Sequence, residues 1–451
     1  MKKIQQNSLR YRILFTTVKV AFKYFFRKVE VRGLENIPLA EPVIFAPNHQ
    51  SGLMDPLLVL YNQYNYPVVF MARADIFKNA TMASFLRLLK IMPVFRIRDG
   101  FENLGKNEEQ FNEAKDVLLD SKYLCLMPEG NHGHQHKLRP LVKGMFRIAF
   151  SAQESLPVGK EVFIVPVGID HSYYQHAGSD VVISYGKPIR IKQYEETYTQ
   201  QPALAMNALR TDLADQLSVL MHDIRSETRY DLIYKLSCLG VPAYLEVKDE
   251  QHPSAEGASR TGRQFDARRE LSLKLDELDR ENSTLLTDWE ALCKNLDELP
   301  GYPNQTVEWM EETPSGINKL SNAVLTLFFL PGMAINTPAW LINRLICSSI
   351  EDKQMHNTFA FVVGLLTNAL LYIATGIAVG VSMHHTWALT LAEIVMVGFY
   401  GAYAERWRQS IRLPLRRFRY SLNGNKRHLI QQCKTDYFFL KQSMKQWIRT
   451  T

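Results

Sequence analysis

Acidic residues are missing from both ends of this 451-residue chain. Residues 1–29 carry eight Lys and Arg and no Asp or Glu, and residues 406–451 carry twelve against a single acid, Asp436. Taking these segments from the totals of 53 basic and 46 acidic residues leaves 33 and 45 in residues 30–405, a net of −12 inside an overall +7. Basic ends around an acidic middle suit a protein held against an anionic surface, where each basic side chain contributes about 1 kcal/mol. Nucleic acid is the rival surface, but no nucleic-acid motif accompanies the basic ends, and the apolar spans below favour lipid. Cysteine is scarce too. Cys125, Cys238, Cys293, Cys347 and Cys433 are odd in number and scattered, which excludes a disulfide framework and metal-ligand spacing and reads as reduced thiols in a cytosolic compartment. No Gly-x-Ser-x-Gly elbow is present, which weakens a hydrolase reading. The N-terminal apolar stretch is interrupted by Lys19 and Lys23 and lacks a small-residue cleavage site, so no signal peptide is expected.

Charge is absent altogether from residues 354–392. The apolar stretch containing them divides at Met383-His384-His385-Thr386 into halves, 358–382 and 386–404, each long enough to cross roughly 30 Å of hydrocarbon. Residues 320–343 are also free of charge, but Pro331, Gly332 and Pro338 interrupt them; a broken, re-entrant helix over 320–346 is expected there. Glu393 falls inside the last span and is expected to be bonded across the helix pair, for instance to Asn368. Near the N-terminus, Arg12, Thr16, Lys19, Lys23 and Arg27 recur on one helical face while Ile13, Leu14, Phe15, Val18, Phe22, Phe25 and Phe26 cover the rest, so residues 9–28 predict an amphipathic helix lying in a membrane interface.

Between these regions the pattern alternates. Apolar runs at 42–46, 67–71, 122–127, 162–168 and 180–185 read as strands, and 55–63, 79–90, 103–120 and 143–154 as helices. Alternation of this kind implies an α/β layer with a mixed or largely parallel sheet and ligands at the carboxyl ends of the strands. Residues 202–240 look helical, 249–262 form a polar loop, and 263–297 a charge-dense helix expected to pack on the α/β domain. The chain thus divides into an amphipathic interfacial helix (1–29), an α/β domain (30–200), a helical insertion or linker (201–315), a membrane region (316–405) and a basic cytoplasmic tail (406–451).

The run Asn48-His49-Gln50-Ser51-Gly52-Leu53-Met54-Asp55 follows the first of those strands. A carboxylate beside a histidine fixes the imidazole tautomer and stabilises the imidazolium, so the ring can take a proton from a hydroxyl. Three further blocks follow: Met92-Pro93-Val94-Phe95-Arg96-Ile97-Arg98-Asp99, Leu126-Met127-Pro128-Glu129-Gly130, and Phe163-Ile164-Val165-Pro166-Val167-Gly168-Ile169. Together they resemble the glycerolipid acyltransferase family, over roughly residues 30–195. Its best-known members acylate glycerol-3-phosphate or lysophosphatidic acid. Two positions depart from the family pattern. Five residues rather than four separate His49 from Asp55, with Met54 at the usual Asp position, and Met127 stands where Phe is usual.

The resemblance implies an α/β acyltransferase domain, a mixed sheet flanked by helices, joined to a C-terminal α-helical membrane region. It implies His49 as general base oriented by Asp55, acting on a lysophospholipid or glycerol-3-phosphate acceptor with acyl-CoA or acyl-carrier protein as donor, and no cofactor. Arg96 is expected to bind the acceptor phosphate, with Arg98 as a second contact or as the partner of Asp99. Glu129 is expected to hold the acceptor's glycerol or to order Arg96 through an ion pair, and Gly130 to form a tight turn that lets backbone approach a ligand. The resemblance also implies Lys143 as a phosphate or donor contact. The alternate histidines His132, His134 and His136 invite a zinc reading, but the reaction needs no metal and none is expected. The arginines from Arg406 to Arg419 put the C-terminus in the cytoplasm. Two crossings then leave the catalytic domain there as well, on the inner membrane of a bacterial cell.

Overall fold

The computed structural model describes residues 3–63, 66–95, 105–175, 177–251, 259–299, 301–311 and 316–451. The chain forms two compact units that interleave in sequence: residues 1–20, 29–170 and 181–221 make the first, and residues 21–28, 171–180 and 222–451 the second.

The first unit is built on a sheet. Its helices and strands, in chain order, are α1 (Leu9–Phe25), β1 (Lys28–Arg32), β2 (Val43–Pro47), α2 (Met54–Leu60), β3 (Val68–Arg73), α3 (Ala80–Leu88), β4 (Ile91–Val94), α4 (Lys106–Leu119), β5 (Tyr123–Cys125), α5 (Gly144–Gln153), β6 (Phe163–His171), β7 (Asp180–Tyr185), β8 (Ile189–Arg190), α6 (Glu195–Gln200) and α7 (Pro202–Leu220), with a few residues at either end of α1, β1, β6 and β7 counted in the second unit. The strand order is β1-β7-β6-β2-β5-β3-β4, with β8 paired to β6. The centre is parallel: β2 pairs with β5 and β6, and β3 with β4 and β5, while β8 runs antiparallel to β6. This is the expected mixed sheet with flanking helices. Both faces of β2 are buried, as a central parallel strand requires, so Val43-Ile44-Phe45-Ala46 reads as a continuous apolar run without alternation. Ile44, Leu124 and Ile164 from the sheet pack against Val117 and Leu118 of α4, Phe146 and Phe150 of α5, and Leu209, Leu213 and Leu217 of α7. Helix α7 therefore belongs to this core; an insertion beginning at residue 201 is corrected, because the apolar stripe at every fourth position of α7 is used here.

The second unit is helical. Helices α8 (Tyr230–Leu239), α9 (Val241–Gln251), α10 (Arg260–Arg280), α11 (Thr284–Cys293) and α12 (Pro303–Glu311) precede three long helices, α13 (Gly316–Ser348), α14 (His356–Ser382) and α15 (Trp387–Ser421), and α16 (Gly424–Thr450) ends the chain. The charge-dense helix expected over 263–297 is α10 plus α11. Its apolar side shares a core with α8, α9 and α16, made by Leu236, Tyr244, Leu271, Leu275, Trp289 and Met444 among others. The tail is accordingly no separate segment: Cys433, Tyr437, Leu440, Met444 and Trp447 of α16 are buried in that core.

Three helices, Ser321–Ser348, Lys353–Ser382 and Trp387–Arg416, are long and apolar enough to cross a membrane. Pro331 and Pro338 lie inside α13, which is helical from Gly316 to Ser348. Glu393 bonds to His385 Nδ1 at 2.6 Å, and not to Asn368 as expected. Of the apolar residues expected to face lipid in and just after α1, Phe15, Phe22 and Phe26 are buried in protein, whereas Ile13 is exposed.

Candidate active site

Strand β2 ends at Pro47, and the chain leaves the carboxyl edge of the sheet through Asn48. The Asn48 side chain is buried and clamps this exit: Nδ2 donates to Ile169 O at 3.0 Å, and Oδ1 accepts from Ile169 N–H at 2.7 Å. The next residue is His49, whose side chain is 12% exposed. Its Nδ1 lies 2.9 Å from Asp55 Oδ2. The same oxygen accepts the backbone N–H groups of Gln50 at 2.8 Å and Ser51 at 2.7 Å. Asp55 sits in the first turn of α2, where a carboxylate is favoured by the helix dipole, and reaches back to the loop before the helix. Met54, at the position the usual spacing would give the acid, is fully buried instead. The His49–Asp55 pair thus forms across the five intervening residues. With Nδ1–H given to an acceptor, Nε2 carries the lone pair and is the atom available as a base.

His49 is held by its backbone as well. Its N–H donates to Glu129 Oε1 at 2.8 Å, and its carbonyl accepts from Gly133 N–H at 3.1 Å. Glu129 follows β5, the parallel neighbour of β2. Its second oxygen accepts from Arg139 Nε at 3.0 Å and from the Arg139 backbone N–H at 3.3 Å. Burial pushes the Glu129 carboxyl above its ordinary range, opposed by the Arg139 bond and the His49 N–H. The ion-pair partner of Glu129 among the described residues is therefore Arg139. The segment from Gly130 to Val142 folds over the His49 loop: Gln50 Nε2 donates to Gln135 O at 3.1 Å, and Val142 N–H to Pro128 O at 2.7 Å. Gly130 adopts φ +69°, where a Cβ would also come within 3.1 Å of Val142. Its need for glycine is met by the turn and by Val142.

The three alternate histidines do not converge. His132 stands edge-on to His49 with ring centroids 5.7 Å apart, His136 Nδ1 lies 3.9 Å from Asp170 Oδ1, and His134 is exposed. Lys143 is exposed, just before α5. Arg96 and Arg98 fall outside the described residues. The chain leading to them is fixed at Phe95, whose N–H and carbonyl are both bonded to the Asn107 side chain at 2.8 and 2.7 Å. Ser51 Oγ is buried with no hydrogen-bond partner among the described residues, so it is not paired with His49. Burial raises the Cys125 thiol well above its ordinary value and the Cys293 thiol to about 12. Neither is a ready nucleophile.

An imidazole with a buried carboxylate behind it, and no nucleophile paired with it among the described residues, is an arrangement able to deprotonate a hydroxyl directly. The family model described as Acyltransferase matches residues 28–170, the stretch that holds His49, Asp55, Glu129 and Arg139. This part of the chain is an acyltransferase domain. The same stretch holds the four sequence blocks, so the acyltransferase resemblance drawn from them is borne out there. Among solved structures the chain is similar to the crystal structure of the 1-acyl-sn-glycerophosphate (LPA) acyltransferase, PlsC, from Thermotoga maritima, at 22% identity over 46% of this chain and 79% of that one, with a TM-score of 0.34. No curated protein matches the chain.

Proposed function

We propose that the domain moves a fatty acyl group from acyl-CoA or acyl-carrier protein to the free hydroxyl of 1-acylglycerol-3-phosphate, giving phosphatidic acid. The observation that carries this reading is the His49–Asp55 pair, with Asp55 Oδ2 fixed by three donors. His49 Nε2 takes the hydroxyl proton as the oxygen attacks the thioester carbonyl. The tetrahedral adduct then collapses, the C–S bond breaks, and the departing thiolate takes the proton from the imidazolium. A base so placed is worth roughly 100- to 10,000-fold. Arg96, with Arg98 as a second contact, supplies the cation for the acceptor phosphate, since guanidinium binds two phosphate oxygens at once. Lys143 is a further phosphate or donor contact. No cofactor takes part. The protein works at a membrane, in keeping with three helices long and apolar enough to cross one.

Mass spectrometry of the products formed when the purified protein is offered a panel of donors and acceptors tests this. Phosphatidic acid from 1-acylglycerol-3-phosphate is the expected product. Lysophosphatidic acid from glycerol-3-phosphate, or another acylated lysolipid, would move the acceptor assignment. No transfer to any acceptor would leave a non-catalytic membrane scaffold. Arg96→Ala should raise the Michaelis constant for the acceptor far more than that for the donor. A lost charge-assisted bond is worth roughly 1.5–3 kcal/mol, about a tenfold to hundredfold change. Unchanged acceptor affinity with weakened donor affinity would move Arg96 to the donor site.

A further inference from the structure

Helix α13 does not run the length of its neighbours. Helices α14 and α15 form an antiparallel hairpin, with Gly376 against Ile394, Gly380 against Thr390 and Gly401 against Tyr372. The first arm of α13 climbs this hairpin along α15. Thr326 Oγ1 accepts from Trp407 Nε1 at 3.2 Å, Gly332 lies against Ala404 and Tyr400, and Asn336 Nδ2 donates to Gly401 O at 2.8 Å. Asn336 Oδ1 also accepts from Tyr372 OH at 2.8 Å. From there the register reverses. Asn343 Nδ2 donates to Ala360 O at 3.4 Å, and Cys347 Sγ approaches His356 O at 3.8 Å, at the foot of α14. A straight α13 would have carried residues 343 and 347 on towards the far turn at His384 and His385.

The chain supplies the bend. Pro331 and Pro338 each remove a backbone donor and crowd the preceding turn, the usual cause of a sharp kink. Gly332 admits close contact, since a Cβ there would come within 2.7 Å of Ala404. Asn336, 3% exposed, stands at the apex with both amide atoms bonded, as a polar group at that depth requires. Its neighbour Tyr372 lies about midway along the 27 residues of α14.

The helices flanking this region give the same parity independently. Before α13, α11 places Trp289 in the helical core; after α15, α16 places Trp447 against it, ring centroids 5.3 Å apart, and Ser443 Oγ on Trp289 Nε1 at 2.9 Å. Chain that enters the three long helices and chain that leaves them therefore share one core and one side.

We propose that α13 is a re-entrant wedge: it enters and leaves on the side of the helical core, turns at Asn336 near mid-depth, and packs against the acyl chains of a single leaflet. Leu327, Phe328 and Leu330 on one arm and Trp340, Leu341 and Leu345 on the other are the exposed apolar side chains that meet those lipids. Only α14 and α15 cross.

The test uses the full chain in sealed vesicles, in a Cys347→Ser background because the other four thiols are buried. Single reporters Lys294→Cys, Ser349→Cys, Met383→Cys and Gln432→Cys are treated with a membrane-impermeant maleimide. The wedge requires Lys294, Ser349 and Gln432 to label from one side and Met383 from the other. Labelling of Ser349 from the side opposite Lys294, with Met383 on the Lys294 side, overturns it. A second readout does not depend on labelling efficiency. Spin labels at Ala323 and Ser349 would stand about 39 Å apart on a straight helix at 1.5 Å per residue. The bend requires a distance well short of that, and a value near it defeats the proposal. Efficient cross-linking between copies through Leu327→Cys would place a second chain on this face in place of lipid, and would overturn that part.

Discussion

His49 is fixed at three points: its ring by Asp55, its N–H by Glu129 and its carbonyl by Gly133. The roles separate on mutation. His49→Ala should remove transfer while leaving the fold, because it removes the proposed base alone. Asp55→Asn should cost less, since the amide oxygen still accepts from Gln50 and Ser51 while the charge behind the imidazolium is gone. Steady-state turnover of both variants measures this; a silent Asp55→Asn would show that the pair is structural. Glu129 and Arg139 act through the backbone of His49, so Glu129→Gln and Arg139→Ala should lower kcat tenfold or more with the acceptor Michaelis constant within about twofold. A large rise in that constant, with kcat kept, would return Glu129 to the acceptor. The His49–Asp55 pair was legible in the sequence because a histidine and a carboxylate share the loop after an apolar strand and three further blocks follow, although the spacing departs by one residue from the family pattern. Arg139 was not: it lies ten residues past Glu129 in an aperiodic loop, and nothing there tells which of Lys137, Arg139 and Lys143 folds back.

At the scale of elements, the strands at 43–47, 68–73, 123–125, 163–171 and 180–185 and the helices between them fall where apolar runs and helical periodicity put them. Strands β1, β4 and β8 escaped because none is an uninterrupted apolar run: Lys28, Glu30 and Arg32 alternate along β1, Pro93 lies inside β4, and β8 is only Ile189 and Arg190. The tail was misread for another reason. Its basic residues drew the reading towards lipid, yet Cys433, Tyr437, Leu440, Met444 and Trp447 recur at steps of four and three, which is the stripe of a packed helix. Part of the positive charge meets acids of the protein itself. Lys441 pairs with Glu246 and Glu311, Lys445 with Glu246 and Glu250, and Arg449 with Glu250. Burial alone would raise the Glu246 carboxyl, but Lys441 and Lys445 hold it below its ordinary value; Lys445 and Arg449 do the same for Glu250. Both values are lower folded than unfolded, so this stabilisation is present above the ordinary carboxyl range and is lost as pH falls through the folded values. Hydrogen exchange along α16 should therefore rise below about pH 4.5, ahead of exchange in α10. Equal protection of the two helices through that range would show that the apolar stripe alone holds α16.

At the scale of the whole molecule, composition divided the chain into consecutive blocks, whereas its two units interleave. Residues 21–28 and 171–180 belong to the helical unit although the sequence on either side of them builds the sheet. No change in composition marks those borders, because a strand or helix that continues from one unit into the other keeps its own pattern throughout. What does separate the units is that each has its own core: Phe146, Phe150 and Leu118 lie in the first, and Trp289, Leu271 and Met444 in the second. Trp289 is the largest of the fully buried side chains, with its indole N–H satisfied by Ser443. Trp289→Ala should cost about 3–5 kcal/mol through lost burial and the cavity left behind. The loss should fall on the unit that owns the residue. Hydrogen exchange read segment by segment should show α8 to α11 and α16 loosened, while β2, β5 and the His49 loop keep their protection. Uniform loosening of both sets of segments would mean that the two cores fold and unfold as one.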